Sequence, residues 1–527
     1  MLRKVRIMIA SIMFIAVTLL FLDFTGVLHH WLGWTAQIQF LPAILALNLA
    51  VVIALLLVTF VLGRIYCSVI CPLGIFQDIA AWLGTRRKHS RNKYHYTKAK
   101  TILRYSVLGV FVVLMLAGVS SVAVLVAPYS AFGRIAQNLF APVYQAGNNV
   151  LAYFAERADS YAFYPVEVWI RSAPTFVIAL ATFIVLFVLA WRGGRTWCNT
   201  ICPVGTLLGT VSRFSLFKPV IDKSKCIKCH ACEKRCKAAC IDIDNQSIDT
   251  SRCVVCMNCI DNCHKGAVRY MFSFGKKSVK PGKTQEKSFD TKDSPETEKT
   301  VDKSETGSES EREVVSPVRR GFLLSLPGMA LGATTAFAQD NKTTDGGMAE
   351  LKPRQHPDRG EFSLKPAGSR SFSNFSKRCV GCQLCVVQCP NGVLRPSESL
   401  LHLMQPEMQF DKGFCRPECN RCSEVCPAGA IEPVTVAEKS STQIGHAVWS
   451  KALCIAVSTG TKCGNCARHC PNGAIEMIET EGPNGEKVEV PSVDTERCIG
   501  CGACEYVCPV RPVSAIYVVG HEVHKVN

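Results

Sequence analysis

The chain has 527 residues, enough for about three domains, and contains 29 cysteines. Its formal net charge is +17, but residues 339–527 hold 20 Lys+Arg against 21 Asp+Glu, so the whole excess lies in the first 338 residues. Long apolar runs beside those basic residues exclude nucleic acid as the partner and favour the inner side of a membrane protein. The cysteine spacings exclude a small disulfide-stapled fold.

The first predicted elements are helices. Arg3, Lys4 and Arg6 precede an apolar run at residues 7–28, and further runs cover 41–62, 102–127 and 174–191. Each approaches or exceeds the roughly 20 residues needed to cross a bilayer. The expected fold class is a membrane α-helical unit of four transmembrane helices over residues 1–215, followed by α+β ferredoxin modules. The loop "TRRKHSRNKYHYTKAK" between the second and third helices is strongly basic, whereas residues 29–39 contain no Lys or Arg. That asymmetry places the N-terminus, and the end of the fourth helix, on the cytoplasmic side. His29 and His30, at the outer end of the first helix, are candidate proton acceptors; beside Trp31 and Trp34 they also read as ordinary interfacial residues.

The second and fourth helices end in an internal repeat. "GRIYCSVICPLG" begins at Gly63 and "GRTWCNTICPVG" at Gly194, and the two match at seven of twelve positions. Cys67 with Cys71, and Cys198 with Cys202, have near-helical spacing. Two such pairs gathered by pseudo-symmetry would offer four thiolates to a metal or a cluster, a further redox centre; the alternative is structural thiols or a redox disulfide. Arg64 and Arg195 read as headgroup anchors.

Residues 221–270 carry the C-x2-C-x2-C-x3-C run twice: Cys226, Cys229, Cys232 and Cys236, then Cys253, Cys256, Cys259 and Cys263. Three closely spaced thiolates suit three irons of a [4Fe–4S] cube, and the last cysteine of each run ligates the other cube. Zinc would need two separated knuckles, which continuous triple runs argue against. Cys240 is left over and reads as a small hydrophobe. Residues 273–315 are rich in Lys, Ser, Glu and Thr with almost nothing apolar, and are expected to be a disordered linker.

At residues 316–338 stands "SPVRRGFLLSLPGMALGATTAFA", an arginine pair before an apolar stretch. It resembles a twin-arginine export signal lodged mid-chain, although Val318 replaces the usual Ser; the other reading is a fifth membrane helix. Either places residues 370–520 in the periplasm. That domain holds four more sets: Cys379, Cys382, Cys385, Cys389; Cys415, Cys419, Cys422, Cys426; Cys454, Cys463, Cys466, Cys470; and Cys498, Cys501, Cys504, Cys508. Pro390, Pro427, Pro471 and Pro509 follow them as in bacterial ferredoxins. The likeness of "RCVGCQLCVVQCP" to "RCIGCGACEYVCP" predicts nested pairing, first set with fourth and second with third. Export of a folded, cluster-loaded domain would spare sixteen thiols from wrong disulfides in an oxidising compartment. The expected cofactors are thus about six [4Fe–4S] clusters.

Four helices, two C-x3-C-P motifs and a two-cluster ferredoxin resemble the NapH/MauN family, and the segment from the arginine pair onward resembles the NapG/MauM family. C-x3-C-P membrane ferredoxins also occur in NosR-like and cytochrome-oxidase assembly proteins. The resemblance implies an inner-membrane quinol dehydrogenase module that takes electrons from menaquinol or ubiquinol and passes them to a periplasmic reductase or c-type cytochrome. An electron-donating maturation factor for a periplasmic metalloenzyme is the alternative. The sequence shows no catalytic residue and no Walker A pattern. Clusters on opposite faces of a core of roughly 30 Å also need a relay: the C-x3-C-P cysteines, a quinone, or a partner's haem.

Overall fold

The computed structural model describes residues 2–86, 94–273, 354–481 and 485–526. The arginine-pair stretch at 316–338 and the linker beyond Ser273 lie outside the described residues. Among these, two helices are long and apolar enough to cross a membrane, Leu2–Leu22 and Ala173–Gly193. Four uninterrupted spans were expected, and two of the runs are instead broken. The run at 41–62 divides into Phe40–Leu45 and Leu49–Leu62. Leu47 takes φ 55° there, and Asn48 turns its side chain back to accept the Val51 amide as an N-cap. The run at 102–127 divides into Thr101–Leu116 and Ser120–Val126, where Gly118 takes φ 79°.

The apolar windows of Leu2–Leu22 and Ala173–Gly193 are only 39% and 22% buried. Ile12, Ile15, Val177 and Ile184 face outward, as do Ile53, Leu57, Val110 and Val113 on the two shorter helices. Helices hidden inside a soluble core would be covered all round; an exposed apolar belt requires lipid or another apolar partner.

The C-x3-C-P repeat folds twice into the same device. A single helical turn (Tyr66–Val69 or Thr196–Thr200) leads to an extended cysteine, Cys71 or Cys202, which caps a helix opened by proline, Pro72–Thr85 or Pro203–Ser212. The copies pack reciprocally: Pro72–Thr85 lies against Ala173–Gly193, and Pro203–Ser212 against Leu49–Leu62. Gly74 and Gly205 make the crossing possible. A Cβ on Gly205 would stand 2.5 Å from Cys198 O and 2.8 Å from Arg64 Nη2; one on Gly74 would collide with Cys67 O and stand 2.6 Å from Arg195 Nη1.

Both cysteine-rich modules are α+β, as expected. In the first, Phe217–Ile221 pairs antiparallel with Val268–Phe272, and short turns of helix at Ala231–Lys234 and Asn258–Asp261 carry cysteines. In the second, Thr442–Trp449 pairs with Ile516–Val526, Ile475–Glu481 with Lys487–Val493, and Leu394–Pro396 with Pro406–Met408.

The modules meet opposite ends of one helix. Leu2–Leu22 is about 31 Å long at 1.5 Å per residue. Arg3 at its start pairs with Asp261 of the first module at 3.3 Å. Just past its end, Asp23 O accepts a 2.6 Å bond from Gln388 Nε2 of the second. Tyr270 Oη donates to Leu62 O at 2.9 Å on the first side, and Ser120 Oγ to Ser376 O at 2.5 Å on the second. One apolar core continues from Val17, Phe21 and Phe132 into Phe375 and Leu384.

This packing gives a paired prediction. Gly74→Ala should destabilise the chain by about 1–3 kcal/mol through overpacking. Gly109→Ala, with nothing within 4 Å of its added Cβ, should be neutral or slightly stabilising. Thermal unfolding of both variants in detergent measures the difference.

Candidate functional site

Short helical turns and the extended residues beside them bring the cysteines together in fours. Cys236 joins Cys253, Cys256 and Cys259 around one cavity. Cys232 has Cys226 and Cys263 as charge neighbours, three of the four residues expected in the other cage of the first module; Cys229, the fourth, is exposed. In the second module Cys389 joins Cys415, Cys419 and Cys422. Cys470 joins Cys498, Cys501 and Cys504. Cys508 joins Cys454, Cys463 and Cys466. Cys379, Cys382 and Cys385 have Cys426 as their common neighbour.

This corrects the nested pairing. The first set exchanges its last cysteine with the second, and the third with the fourth, so the two pairs stand in tandem. The sequence likeness of the first and last sets has another cause. Their helical turns, LCVVQ at Leu384–Gln388 and ACEYV at Ala503–Val507, have only the cysteine in common, so the likeness lies in the cysteine spacing itself.

The cages fit iron–sulfur clusters on their own chemistry. Burial pushes the thiols of Cys379 and Cys501 up to about 12 and those of Cys232 and Cys466 up to about 11, so thiolates form there only when a metal replaces the proton. Backbone amides already point at sulfur: Gly381 N at 3.4 Å from Cys379 Sγ, Ala267 N at 3.2 Å from Cys263 Sγ, and Ala474 N at 3.2 Å from Cys470 Sγ. Among the described residues, no three Cys, His, Asp or Glu side chains converge on a single-ion position.

Buried cations accompany the cages, a feature without any signal in the sequence. Lys365 is fully buried and donates to Pro406 O at 3.3 Å; burial lowers its ammonium to about 8, with Glu407 and Cys379 as its charge neighbours. Burial also opposes the charge on Lys439, yet Cys415, Cys419 and Cys422 hold it above the ordinary lysine value. Arg134 is buried beside Cys382 and donates only to the carbonyls of Val124 and Leu125, at 3.2 and 3.1 Å. None of the three has a carboxylate at ion-pair distance among the described residues.

The two C-x3-C-P repeats do come together. Cys67, Cys71, Cys198 and Cys202 are all buried and lie within electrostatic reach of one another. Arg64 and Arg195 are not headgroup anchors. Both are fully buried and each crosses to the other repeat: Arg64 Nη2 donates to Cys198 O at 3.4 Å, and Arg195 Nη1 to Cys67 O at 2.7 Å. Asp78 collects Arg195 Nε at 2.8 Å, Arg6 at 2.9 Å and Lys237 at 3.4 Å.

The sulfur groups form a file. Cys232 and Cys259 are neighbours. Cys256 faces Lys237 and Asp78, which lead to Arg195 and the four repeat cysteines. Tyr66 lies within electrostatic reach of Cys67, Cys71 and Cys202, and Tyr129 within that of Tyr66, Cys382 and Cys426. Cys385 neighbours Cys422, Cys415 N bonds Cys501 O at 3.0 Å, and Cys504 neighbours Cys466. Cys240, expected to be an inert hydrophobe, places its sulfur 3.6 Å from Cys236 Sγ and lines the same cavity. His29 is half-buried against Glu424, on the turn that bears Cys422, while His30 is exposed beside Trp31.

Two family models match. A 4Fe-4S binding domain matches residues 44–91 and again 175–222, and a 4Fe-4S dicluster domain matches 378–430 and 461–511. The methylamine utilization ferredoxin-type protein MauM of Methylobacillus flagellatus is 30% identical over 196 residues, covering 33% of this chain and 75% of that protein. MauN of the same organism is 27% identical over 220 residues, 41% of this chain and 64% of MauN. The ferredoxin-type protein NapF of Escherichia coli is 28% identical over 159 residues, 30% of this chain and 87% of NapF. No solved structure matches.

Tandem and nested pairing are separable by iron analysis. The double variant Cys379→Ala/Cys426→Ala should lose about four irons, one cube, under tandem pairing. Under nested pairing it would lose about eight, because its two cysteines would then serve different cubes.

Proposed function

The chain belongs to the MauM family of ferredoxin-type 4Fe-4S proteins, and on that footing we propose that it is a transmembrane electron conduit, a quinol dehydrogenase module of the bacterial inner membrane. The observation that carries this reading is the file of cysteine groups running from one end of Leu2–Leu22 to the other. In this reading the four apolar runs all enter the bilayer. Leu2–Leu22 and Ala173–Gly193 span it whole, and the longer pieces of the broken helices, Leu49–Leu62 and Thr101–Leu116, enter it with the exposed break at Leu47 and Asn48 outside the hydrocarbon core. The basic loop holds the first module in the cytoplasm, and the second module faces the periplasm.

Bound clusters supply one-electron storage at each of six cages in this reading. The chain's own residues do the rest. Cys226, Cys229, Cys232 and Cys263, and Cys236 with Cys253, Cys256 and Cys259, would hold the inner pair. The sixteen cysteines of the second module would hold the outer four. Lys365, Lys439 and Arg134 compensate the negative charge of thiolate-ligated clusters, and a buried cation near a cluster favours its reduced form. The apolar wall of Val380, Leu384, Val386 and Phe410 excludes water from the outer cages. Quinol is the proposed donor, and a periplasmic reductase or c-type cytochrome the proposed acceptor.

The reading is tested by adding a menaquinol analogue to the anaerobically oxidised, purified chain in detergent and following cluster reduction by EPR. Reduction of inner and outer signals within the turnover time of a respiratory chain is expected. Reduction by dithionite but not by the quinol analogue would leave an electron carrier and overturn the quinol dehydrogenase assignment.

A further inference from the structure

We propose that a cavity beside the Cys389 cage binds the ring of a quinol or quinone, with Gln137 accepting from a ring hydroxyl and Arg416 and Arg421 donating to the opposite oxygen. The ligand class rests on the quinol reading above, which leaves the site of binding open; the cavity supplies it. Its volume is about 710 Å³, within the usual range of small-molecule sites.

Four parts of the chain meet there. Phe24 and Thr25 follow directly on Leu2–Leu22. Gln137 and Gln145 come from the helical stretch of residues 128–157. Residues 164–171 lead into Ala173–Gly193. The second module contributes Cys389 with the residues after it, and Lys412 to Arg416. Both spanning helices thus bring one end to the cavity, so in the membrane reading it stands at the outer boundary of the lipid. It also touches a cysteine of an outer cage, a placement that suits a lipid-soluble redox ligand.

The lining fits a flat ring with oxygen at both ends. Aromatic residues supply its walls: Phe24 meets Tyr164 edge-on at 6.0 Å, and Phe414 lies 6.2 Å from Tyr506. Trp169 is held in place by packing on Gly392 and by Arg395 and Lys412, 4.7 and 5.6 Å from its ring centre. The polar groups are of two kinds. Gln137, on the helical side, is 8% exposed, and its buried Oε1 has no hydrogen-bond partner. A buried acceptor is costly until something donates to it. Arg416 and Arg421, on the side of the second module, are exposed and have no carboxylate at ion-pair distance among the described residues. Glu167, the sole carboxylate in the lining, is already paired with Lys412 at 3.1 Å. A simple anion would satisfy the arginines and leave Gln137 unpaired. A hydroquinone donates through one hydroxyl while its other oxygen accepts, so it satisfies both.

The test uses the full chain in detergent, purified without oxygen, and a photoreactive azido-naphthoquinone. Saturable labelling of residues 164–171 or 412–421, displaced by excess menadione, is the expected result. Gln137→Met, which keeps the bulk and removes the acceptor, should weaken menadione binding about tenfold. Arg416→Gln/Arg421→Gln should weaken it by a similar factor, and because both residues are exposed this variant keeps the test open if Gln137→Met does not fold. Unchanged menadione affinity in the arginine variant would overturn the site. Saturable labelling confined to other residues would also overturn it, while leaving the quinol reading intact. Displacement of the label by phosphatidylglycerol micelles and not by menadione would make this a lipid headgroup site and overturn the proposal. Absence of saturable labelling anywhere overturns the site as well, and the EPR measurement of cluster reduction then decides separately whether the quinol reading falls with it.

Discussion

Burying positive charge without a carboxylate is the constraint on which this structure depends. Such a charge is tolerable only beside an anion that the apolar interior would otherwise refuse. Lys365, Lys439, Arg134 and Arg64 all meet that condition beside cysteine sulfur. The cations and the cages therefore form one system. Thiolates that burial disfavours become stable with metal bound, and the resulting negative clusters stabilise the cations. Folding and cluster loading are coupled by this exchange, which accounts for modules this small holding so many buried polar groups.

The helical unit serves the same end. Its pseudo-symmetric repeats cross at Gly74 and Gly205, and each arginine reaches into the opposite copy. That interlock fixes the four repeat cysteines at the middle of the file. The first module docks beneath them through Tyr270 and Ser251, and the second docks above Tyr129 through Gln383, Gln388 and Ser376. With the modules gripping opposite ends of Leu2–Leu22, a span of about 31 Å is subdivided by sulfur groups and two buried tyrosines, and no single electron transfer has to cover it. In the proposed reading the relay that the distance demands is the chain's own.

Much of this was legible in the sequence. The six cysteine sets announce their chemistry because cube geometry dictates ligand spacing, and the swap of last cysteines follows from the same rule at Cys236 and Cys263. The α+β character of the modules was also legible. Pairing among the four outer sets was not, because each run spells out its own three closely spaced ligands and not the cube that its last cysteine joins. The breaks at Leu47 and Gly118 were hidden by hydropathy, which reads composition and not backbone φ. The buried roles of Arg64, Arg195 and Lys439 had no sequence signal, since a basic residue beside an apolar run reads as an anchor until its tertiary partners are known. The convergence of the two C-x3-C-P pairs was visible only as an internal repeat, and the structure supplied the contact.

The central claim is a single connected electron path between the two cysteine-rich modules. Its most direct test places the purified, oxidised chain in sealed vesicles in one orientation and adds a membrane-impermeant reductant to the outside only, while optical bleaching and EPR follow the clusters on both sides. The account predicts that clusters of both modules become reduced, in sequence, with no quinone present. Reduction that stops at the module facing the reductant, with the other module still oxidised and still reducible after detergent is added, would contradict it.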